Sequence, residues 1–276
     1  MLKYFYITNK PEVAQIAQDC GVDRIFIDME YIGKEERQPN LDTVKNHHTV
    51  SDVKNIRRVL TDSELLVRVN PVNEGSNEEI NSVIDAGADV IMLPMFKTAV
   101  EVKRFIDIVN NRAKTLLLLE TDEAVKNLDS ILEIDGINEI HIGLNDLHLS
   151  QDKTFMFELL CDGTVDGIAE KIKAKGIPFG IGGVGAVNSD VTLPAENILC
   201  EHYRLGSTMV ILARAFCDTS KISDLTEIKE IFEKGIKANR EYETVLSSQS
   251  SEFFIAKHKE TKRIIDEIIE RKKENK

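Results

Sequence analysis

Short apolar runs alternate with amphipathic stretches along most of the chain. The runs stop at polar residues, which is typical of strands buried on both faces of a parallel sheet. Between them, apolar residues recur at a period of 3.6, as Val102, Phe105, Ile106 and Val109 do, which predicts amphipathic helices. The pattern predicts strands near residues 4–8, 24–30, 65–71, 89–95, 116–121, 139–146, 177–185 and 203–211.

This alternation predicts the fold class. Eight successive β/α units predict an α/β protein whose parallel sheet closes into a (β/α)₈ TIM barrel, with an open doubly wound sheet as the rival arrangement. No linker rich in Gly, Ser or Pro divides residues 1–220, so they are predicted to form one barrel domain. Residues 221–276 are highly charged and helical in pattern, with a break near Ser247–Ser251, and predict a C-terminal helical extension.

The last predicted helix carries an apolar stripe that something must cover. It either packs on its own barrel or reaches a neighbouring subunit, and we favour the second, which predicts a homo-oligomer built through the C-terminal helices. The stripe consists of Ile255, Ile264, Ile265, Ile268 and Ile269.

Charge and cysteine content narrow the function classes. The 276 residues carry a formal net charge of −12, which argues against nucleic-acid and anionic-membrane partners because both need a basic face. None of the four cysteines forms a C-x-x-C pair, which argues against structural zinc. Their wide spacing and the lack of a signal-peptide pattern predict a cytoplasmic location. No run reaches the apolar length of a membrane span.

Two of the apolar runs end in carboxylates, Glu120 and Asp146. In a parallel barrel the C-terminal ends of the strands carry the chemistry. Two hard oxygen ligands from adjacent strands suit Mg²⁺ or Mn²⁺. The structural alternative is that one of the two carboxylates only caps the helix that follows it.

Other strand ends add one cation and several small or acidic residues. Arg68 presents a rigid fork suited to a carboxylate or an enolate, so the set fits a metal that chelates an anionic 2-oxo acid. A structural ion pair is the alternative for Arg68. The glycines after the seventh strand favour either a phosphate site or close substrate approach. The further candidates at these strand ends are Asp28, Glu30, Tyr31, Pro94, Gly182 and Gly183.

The order of these residues resembles the HpcH/HpaI aldolase and citrate lyase family over roughly residues 5–215. The resemblance rests on Asp28-Met29-Glu30, Arg68, Leu119-Glu120-Thr121 and Ile142-Gly143-Leu144-Asn145-Asp146-Leu147. It implies a barrel that cleaves or forms carbon–carbon bonds through a pyruvate-like or acyl-CoA enolate. It also implies that Glu120 and Asp146 bind the metal, and that Arg68 binds the oxygen that becomes the enolate oxygen. Asp28, Pro94, Gly143, Asn145, Gly182 and Gly183 are then candidates for substrate binding.

The chain departs from the aldolase branch of this family. Tyr31 stands where those aldolases have His, and Leu118 stands where they often have Gln. The group that moves the proton is therefore open among Glu30, Tyr31, His148 and a metal-bound water. His47-His48, in the long predicted loop after the second strand, is either a cover for the site or a solvated pair.

These observations predict a divalent-metal-dependent aldolase that acts on a 4-hydroxy-2-oxo acid through a pyruvate enolate. One alternative is a citrate-lyase-like acyl-CoA lyase, which would need a basic patch for the nucleotide. The other is a barrel that binds an oxo acid without turnover, which the lost His and Gln would explain.

Overall fold

The computed structural model describes residues 1–33, 48–189 and 191–274. Its strands close into a barrel in which each strand pairs with the next along the chain, so the predicted (β/α)₈ fold is confirmed. The strands are β1 Lys3–Ile7, β2 Arg24–Asp28, β3 Glu64–Arg68, β4 Val90–Leu93, β5 Lys114–Leu119, β6 Glu139–Ile142, β7 Phe179–Val184 and β8 Met209–Leu212.

Helices separate the strands along the chain, as the periodicity predicts. In the described ranges the α-helices are α1 Pro11–Asp19, α2 Val50–Arg57, α3 Ser76–Asp85, α4 Ala99–Val109, α5 Asp122–Lys126, α6 Leu128–Ile131, α7 Leu144–Ser150, α8 Thr164–Ala174, α9 Ala195–Leu205, α10 Leu225–Leu246 and α11 Ser251–Glu274. A 3₁₀ helix at Met156–Leu160 lies between α7 and α8 along the chain.

Local sequence signals start several of these helices. Thr49 caps α2 through a reciprocal capping box with Asp52, and Thr98 caps α4 in the same way with Glu101. Pro11 opens α1, where its missing N–H is not needed. These starts depend only on residues that neighbour one another in the sequence.

Several predicted elements differ in extent from the structure. The helical pattern of residues 155–174 predicts one helix, but that stretch is divided, because Gly163 adopts a left-handed φ of 91° between the 3₁₀ helix and α8. The first three residues of the strand predicted at 203–211 are the end of α9. Gly206, with φ of 77°, terminates that helix, so β8 begins only at Met209.

The chain forms two compact units. The first is Phe5–Ile140, and the second joins Met1–Tyr4 to His141–Lys276. In the first unit, β2 and β3 pair in parallel with Arg24 opposite Glu64 and Asp28 opposite Arg68. The same two strands therefore carry an Arg–carboxylate pair at each end.

The pair at the N-terminal strand ends belongs to a buried cluster. Arg24 is fully buried; its Nε donates to Glu64 at 2.7 Å and its Nη2 to Glu139 at 2.8 Å, while Lys114 also contacts Glu64. Barrels place residues that serve stability at this end of the strands. The cluster therefore ties β2, β3, β5 and β6 together, and the opposite ends remain for chemistry.

In the second unit the C-terminal helices pack on their own chain. Thr261 of α11 accepts a hydrogen bond from Asn197 of α9 at 2.9 Å, and Ile265 and Ile268 are buried there. Ile255 is 55% exposed, so only part of the apolar stripe is covered within the chain. A contact with a neighbouring subunit and a domain boundary at residue 220 stay predictions. Within the described residues, no helix is both long enough and apolar enough to span a bilayer.

Candidate active site

The first unit holds a guanidinium between carboxylates at the C-terminal ends of β2 and β3. Arg68 donates to both oxygens of Asp28, Nε to Oδ1 and Nη2 to Oδ2, each at 2.9 Å. Nη1 lies 3.4 Å from the Glu30 carboxylate. The Asp28 and Glu30 side chains are 1% and 3% exposed, so this is a buried, bidentate ion pair.

The surrounding charges keep Arg68 cationic. Burial acts to lower the pKa of Arg68, but Asp28, Glu30 and the more distant Glu120 together raise it above its ordinary value. Of the five N–H groups of a guanidinium, two bind Asp28 and one faces Glu30, which leaves two for another oxygen.

Glu120 is held by a strained backbone. It directly follows β5, is 3% exposed, and its Oε1 accepts the backbone N–H of Met95 at 3.2 Å. Met95 has φ of 53°, the left-handed region that non-glycine residues rarely adopt. Pro94, which directly follows β4, precedes it. Thr121, not Glu120, caps the following helix, so the capping alternative is wrong for Glu120.

Asn70 is a buried residue of this unit that the sequence analysis missed. Its Oδ1 accepts the backbone N–H groups of Tyr31 and Ile32, each at 3.0 Å, and its Nδ2 donates to Glu79 at 2.7 Å. An Asn before a Pro at a strand end is typical of a turn, so only its position two residues after Arg68 could have pointed to it. Tyr31 itself is 63% exposed.

His48 contacts the end of β2, whereas a histidine solvated in a loop would not. Its Nδ1 accepts the backbone N–H of Asp28 at 3.0 Å, just before Thr49 caps α2. A neutral imidazole that accepts at Nδ1 carries its proton on Nε2. His48 therefore joins β2 beside the Arg68 pair, and His47 lies outside the described residues.

The remaining candidates belong to the second unit. β6 ends at Ile142, so Asn145 and Asp146 lie on α7 and not in the strand that the sequence predicts, and His148 lies on the same helix. Gly143 is the N-cap residue of α7, and Asp146 lies in its first turn. His148 Nδ1 contacts the Leu144 carbonyl of its own helix at 3.2 Å. The pairing of Asp146 with Glu120, in the other unit, stays a prediction.

Gly182 and Gly183 lie inside β7, where its pairing with β8 is irregular. Gly182 has φ of 45°, and a Cβ there would come within 2.8 Å of the Leu144 side chain. The packing of α7 on β7 is thus sufficient reason for Gly182. Substrate binding at either glycine stays a prediction.

The residues of the first unit fit a lightly coordinated divalent ion. Within the described ranges there is no group of three or more His, Cys, Asp or Glu that could hold a metal. Mg²⁺ is commonly bound by one or two carboxylates and otherwise by waters and substrate oxygens. The buried Glu120 carboxylate meets that requirement.

Comparison with known proteins identifies a family that the chain matches. A model of the family "HpcH/HpaI aldolase/citrate lyase" matches residues 2–154. The 2-keto-3-deoxy-L-rhamnonate aldolases of Klebsiella pneumoniae and Salmonella paratyphi B are each 26% identical over 168 residues, which is 50% of this chain and 57% of theirs. The chain therefore matches little more than half the length of these relatives.

Solved structures of low sequence identity share the fold. An HpcH/HpaI aldolase from Desulfitobacterium hafniense superposes with a TM-score of 0.60 at 14% identity, covering 87% of this chain and 93% of its own. The citrate synthase SbnG gives a TM-score of 0.60 at 17% identity, with 88% and 95% covered. These similarities support the barrel architecture alone.

Proposed function

Since the chain belongs to the HpcH/HpaI aldolase/citrate lyase family, we propose that it is a carbon–carbon lyase that cleaves or forms a 4-hydroxy-2-oxo acid through a pyruvate enolate. We further propose that the reaction depends on Mg²⁺ or Mn²⁺. One observation carries the proposal: Arg68 is fixed by Asp28 and Glu30, and the buried carboxylate of Glu120 also acts on its charge.

Arg68 is suited to stabilise an enolate. Asp28 fixes its orientation through two hydrogen bonds, so the positive charge needs no reorganisation when negative charge develops on the substrate. The two N–H groups that remain on Arg68 would bind the oxo oxygen of the pyruvate unit. This assignment gives Arg68 a role that a structural ion pair would not have.

Glu120, together with Asp146 as the family resemblance implies, would hold the divalent ion. Such an ion supplies Lewis acidity at the oxo and carboxylate oxygens when bound. The burial of the Glu120 carboxylate at a strand end supports this, because a carboxylate oxygen is a ligand that Mg²⁺ prefers. Met95 would keep the Glu120 carboxylate oriented through its N–H.

Glu30 is the best placed of the candidates for moving the proton of the 4-hydroxyl group. It is buried and faces Nη1 of Arg68, whereas the Tyr31 side chain is largely exposed. Its carboxylate would accept the proton as the carbon–carbon bond breaks. His148, in the second unit, remains the alternative.

Lys97 gives little support to an imine mechanism. It follows β4, is half exposed and pairs with Glu123 at 2.8 Å. The hydrogen bond to Glu123 and its charge raise the pKa of Lys97, so the amine stays protonated and is a poor nucleophile. This favours the enolate route through Arg68.

The test is pyruvate release, coupled to lactate dehydrogenase and NADH, from several 4-hydroxy-2-oxo acids including 2-keto-3-deoxy-L-rhamnonate. Chelator-treated protein should release pyruvate only after Mg²⁺ or Mn²⁺ is restored. Glu120→Gln should reduce turnover at least about 100-fold. Glu123→Gln, which alters an exposed carboxylate nearby, is the matched control and should keep the parental rate.

Three results would overturn parts of this proposal. Release that persists without metal would remove the metal dependence. Cleavage of acyl-CoA substrates alone would indicate a citrate-lyase-like enzyme. Oxo-acid binding by calorimetry without any product would indicate a non-catalytic barrel.

We also propose that the protein works in the cytoplasm as a homo-oligomer. None of the four cysteines, all within the described residues, forms a disulfide, which supports a reducing compartment. The exposed Ile255 on α11 supports a contact between copies. Light scattering on the parent and on Ile255→Ser tests the second point, because the substitution should shift the mass toward that of a monomer.

A further inference from the structure

The Asn70 side chain holds the backbone on both sides of Glu30. Its Nδ2 lies 3.4 Å from the Met29 carbonyl, and its Oδ1 accepts the N–H groups of Tyr31 and Ile32. Asn70 is 3% exposed. One buried side chain therefore fixes the chain immediately before and after a candidate catalytic carboxylate.

This arrangement continues the sheet past the ends of its strands. β2 and β3 stop at Asp28 and Arg68, and the Met29 N–H bond to the Arg68 carbonyl at 2.9 Å extends their pairing by one step. Beyond it, the Asn70 amide takes the place of the missing backbone partners. Asp28 Oδ1 also accepts the Glu30 N–H at 3.2 Å, so Asp28 and Asn70 together hold the Glu30 backbone opposite Nη1 of Arg68.

Glu79 on α3 orients the amide. Its carboxylate accepts from Asn70 Nδ2 at 2.7 Å and from the Asn70 backbone N–H at 3.2 and 3.3 Å. A carboxylate only accepts hydrogen bonds, so the NH₂ group of Asn70 must face Glu79 and its oxygen must face the β2 loop. Glu79 thereby prevents the Asn70 amide from flipping, which would point its NH₂ group at the N–H groups of Tyr31 and Ile32.

We propose that Asn70, oriented by Glu79, is a positioning residue that sets the Glu30 carboxylate against Arg68 for proton transfer. The inference rests on the proposed function, in which Glu30 moves the proton. The side-chain hydrogen bonds of Asn70 run to the β2 loop and to Glu79, so its loss should affect the proton-transfer step more than substrate binding. The expected signature is a fall in kcat with little change in KM.

Substitutions that exchange the donor and the acceptor in the Asn70–Glu79 hydrogen bond test the proposal. Asn70→Asp removes the donor and places two carboxylates face to face, so kcat should fall about 10- to 100-fold. In Asn70→Asp with Glu79→Gln, the Gln amide donates to the new Asp, which still accepts from the β2 loop, and most of kcat should return. Asn77→Asp, the same change at an exposed site on α3, is the matched control.

The decisive second readout is independent of turnover. Carboxyl ¹³C NMR of Glu30 should give a chemical shift that changes in Asn70→Asp and returns in the double variant. A protein without aldolase activity on any substrate would refute the proposed function, yet this chemical shift would still test the positioning. The inference is overturned if neither kcat nor the Glu30 chemical shift responds to Asn70→Asp. If Asn70→Asp does not fold, a double variant that folds without recovering kcat also overturns the inference.

Discussion

Replacing Arg68 by Met would test whether the buried carboxylates depend on this guanidinium. The Met side chain keeps most of the apolar stem over the Phe26 ring, which lies 5.6 Å from the Arg68 guanidinium carbon. What is lost is the positive charge that faces Asp28 and Glu30, both almost fully buried. Removing one partner of a buried ion pair typically costs about 3–5 kcal/mol, and we expect about 3 here because packing is largely kept.

The pH dependence gives the sharper expectation. Without Arg68, burial and mutual repulsion disfavour the charged forms of the two carboxylates in the folded variant. Acid relieves this penalty, which the parent lacks, so the stability difference between Arg68→Met and the parent should shrink as the pH falls from 7 to 5.5. Adding Asp28→Asn to this variant removes one of the buried charges and should restore part of the stability at pH 7.

Urea unfolding followed by far-UV circular dichroism at both pH values measures these effects. A loss of about 3 kcal/mol corresponds to a midpoint shift of roughly 1 M urea. Arg57→Met is the control, because Arg57 pairs with Asp89 at the surface with both side chains partly exposed and should matter by at most about 1 kcal/mol. Equal stability of the two variants, or a difference between Arg68→Met and the parent that grows on acidification, would refute the reasoning.

Three further results are expected. Burial and a nearby His lower the pKa of His202 to about 3, so the unfolded chain takes up that proton first below pH 6.5. The free energy of unfolding should then fall by up to about 1.4 kcal/mol per pH unit between pH 6 and 4, and His202→Asn should flatten this slope in urea titrations. Arg24→Met leaves Glu139 buried without its Arg partner and should cost about 3–5 kcal/mol in urea unfolding, with unchanged turnover per folded molecule. Glu30→Gln should lower kcat about 100-fold in steady-state kinetics, while Tyr31→Phe stays within about threefold.

The linear sequence was sufficient for features that depend on neighbouring residues. Alternation of buried runs and helical stripes predicts the eight strands, since each pattern is read within one element. The starts of α2 at Thr49 and of α4 at Thr98 follow from capping boxes only four residues long. Glu120 was predicted at a strand end because the apolar run of β5 stops there.

Tertiary structure decided which side chains meet. Arg24 and Glu139 are 115 positions apart, and Asn70 lies about 40 residues from the loop that it holds, so no local pattern could pair them. Arg68 meets Asp28 because parallel pairing brings the ends of β2 and β3 into register. The fold also brings His48 Nδ1 to the Asp28 N–H, a backbone donor at the end of β2 that needs an acceptor. Hydrophobic periodicity encodes the elements, whereas register and long-range hydrogen bonding determine the chemistry at their ends.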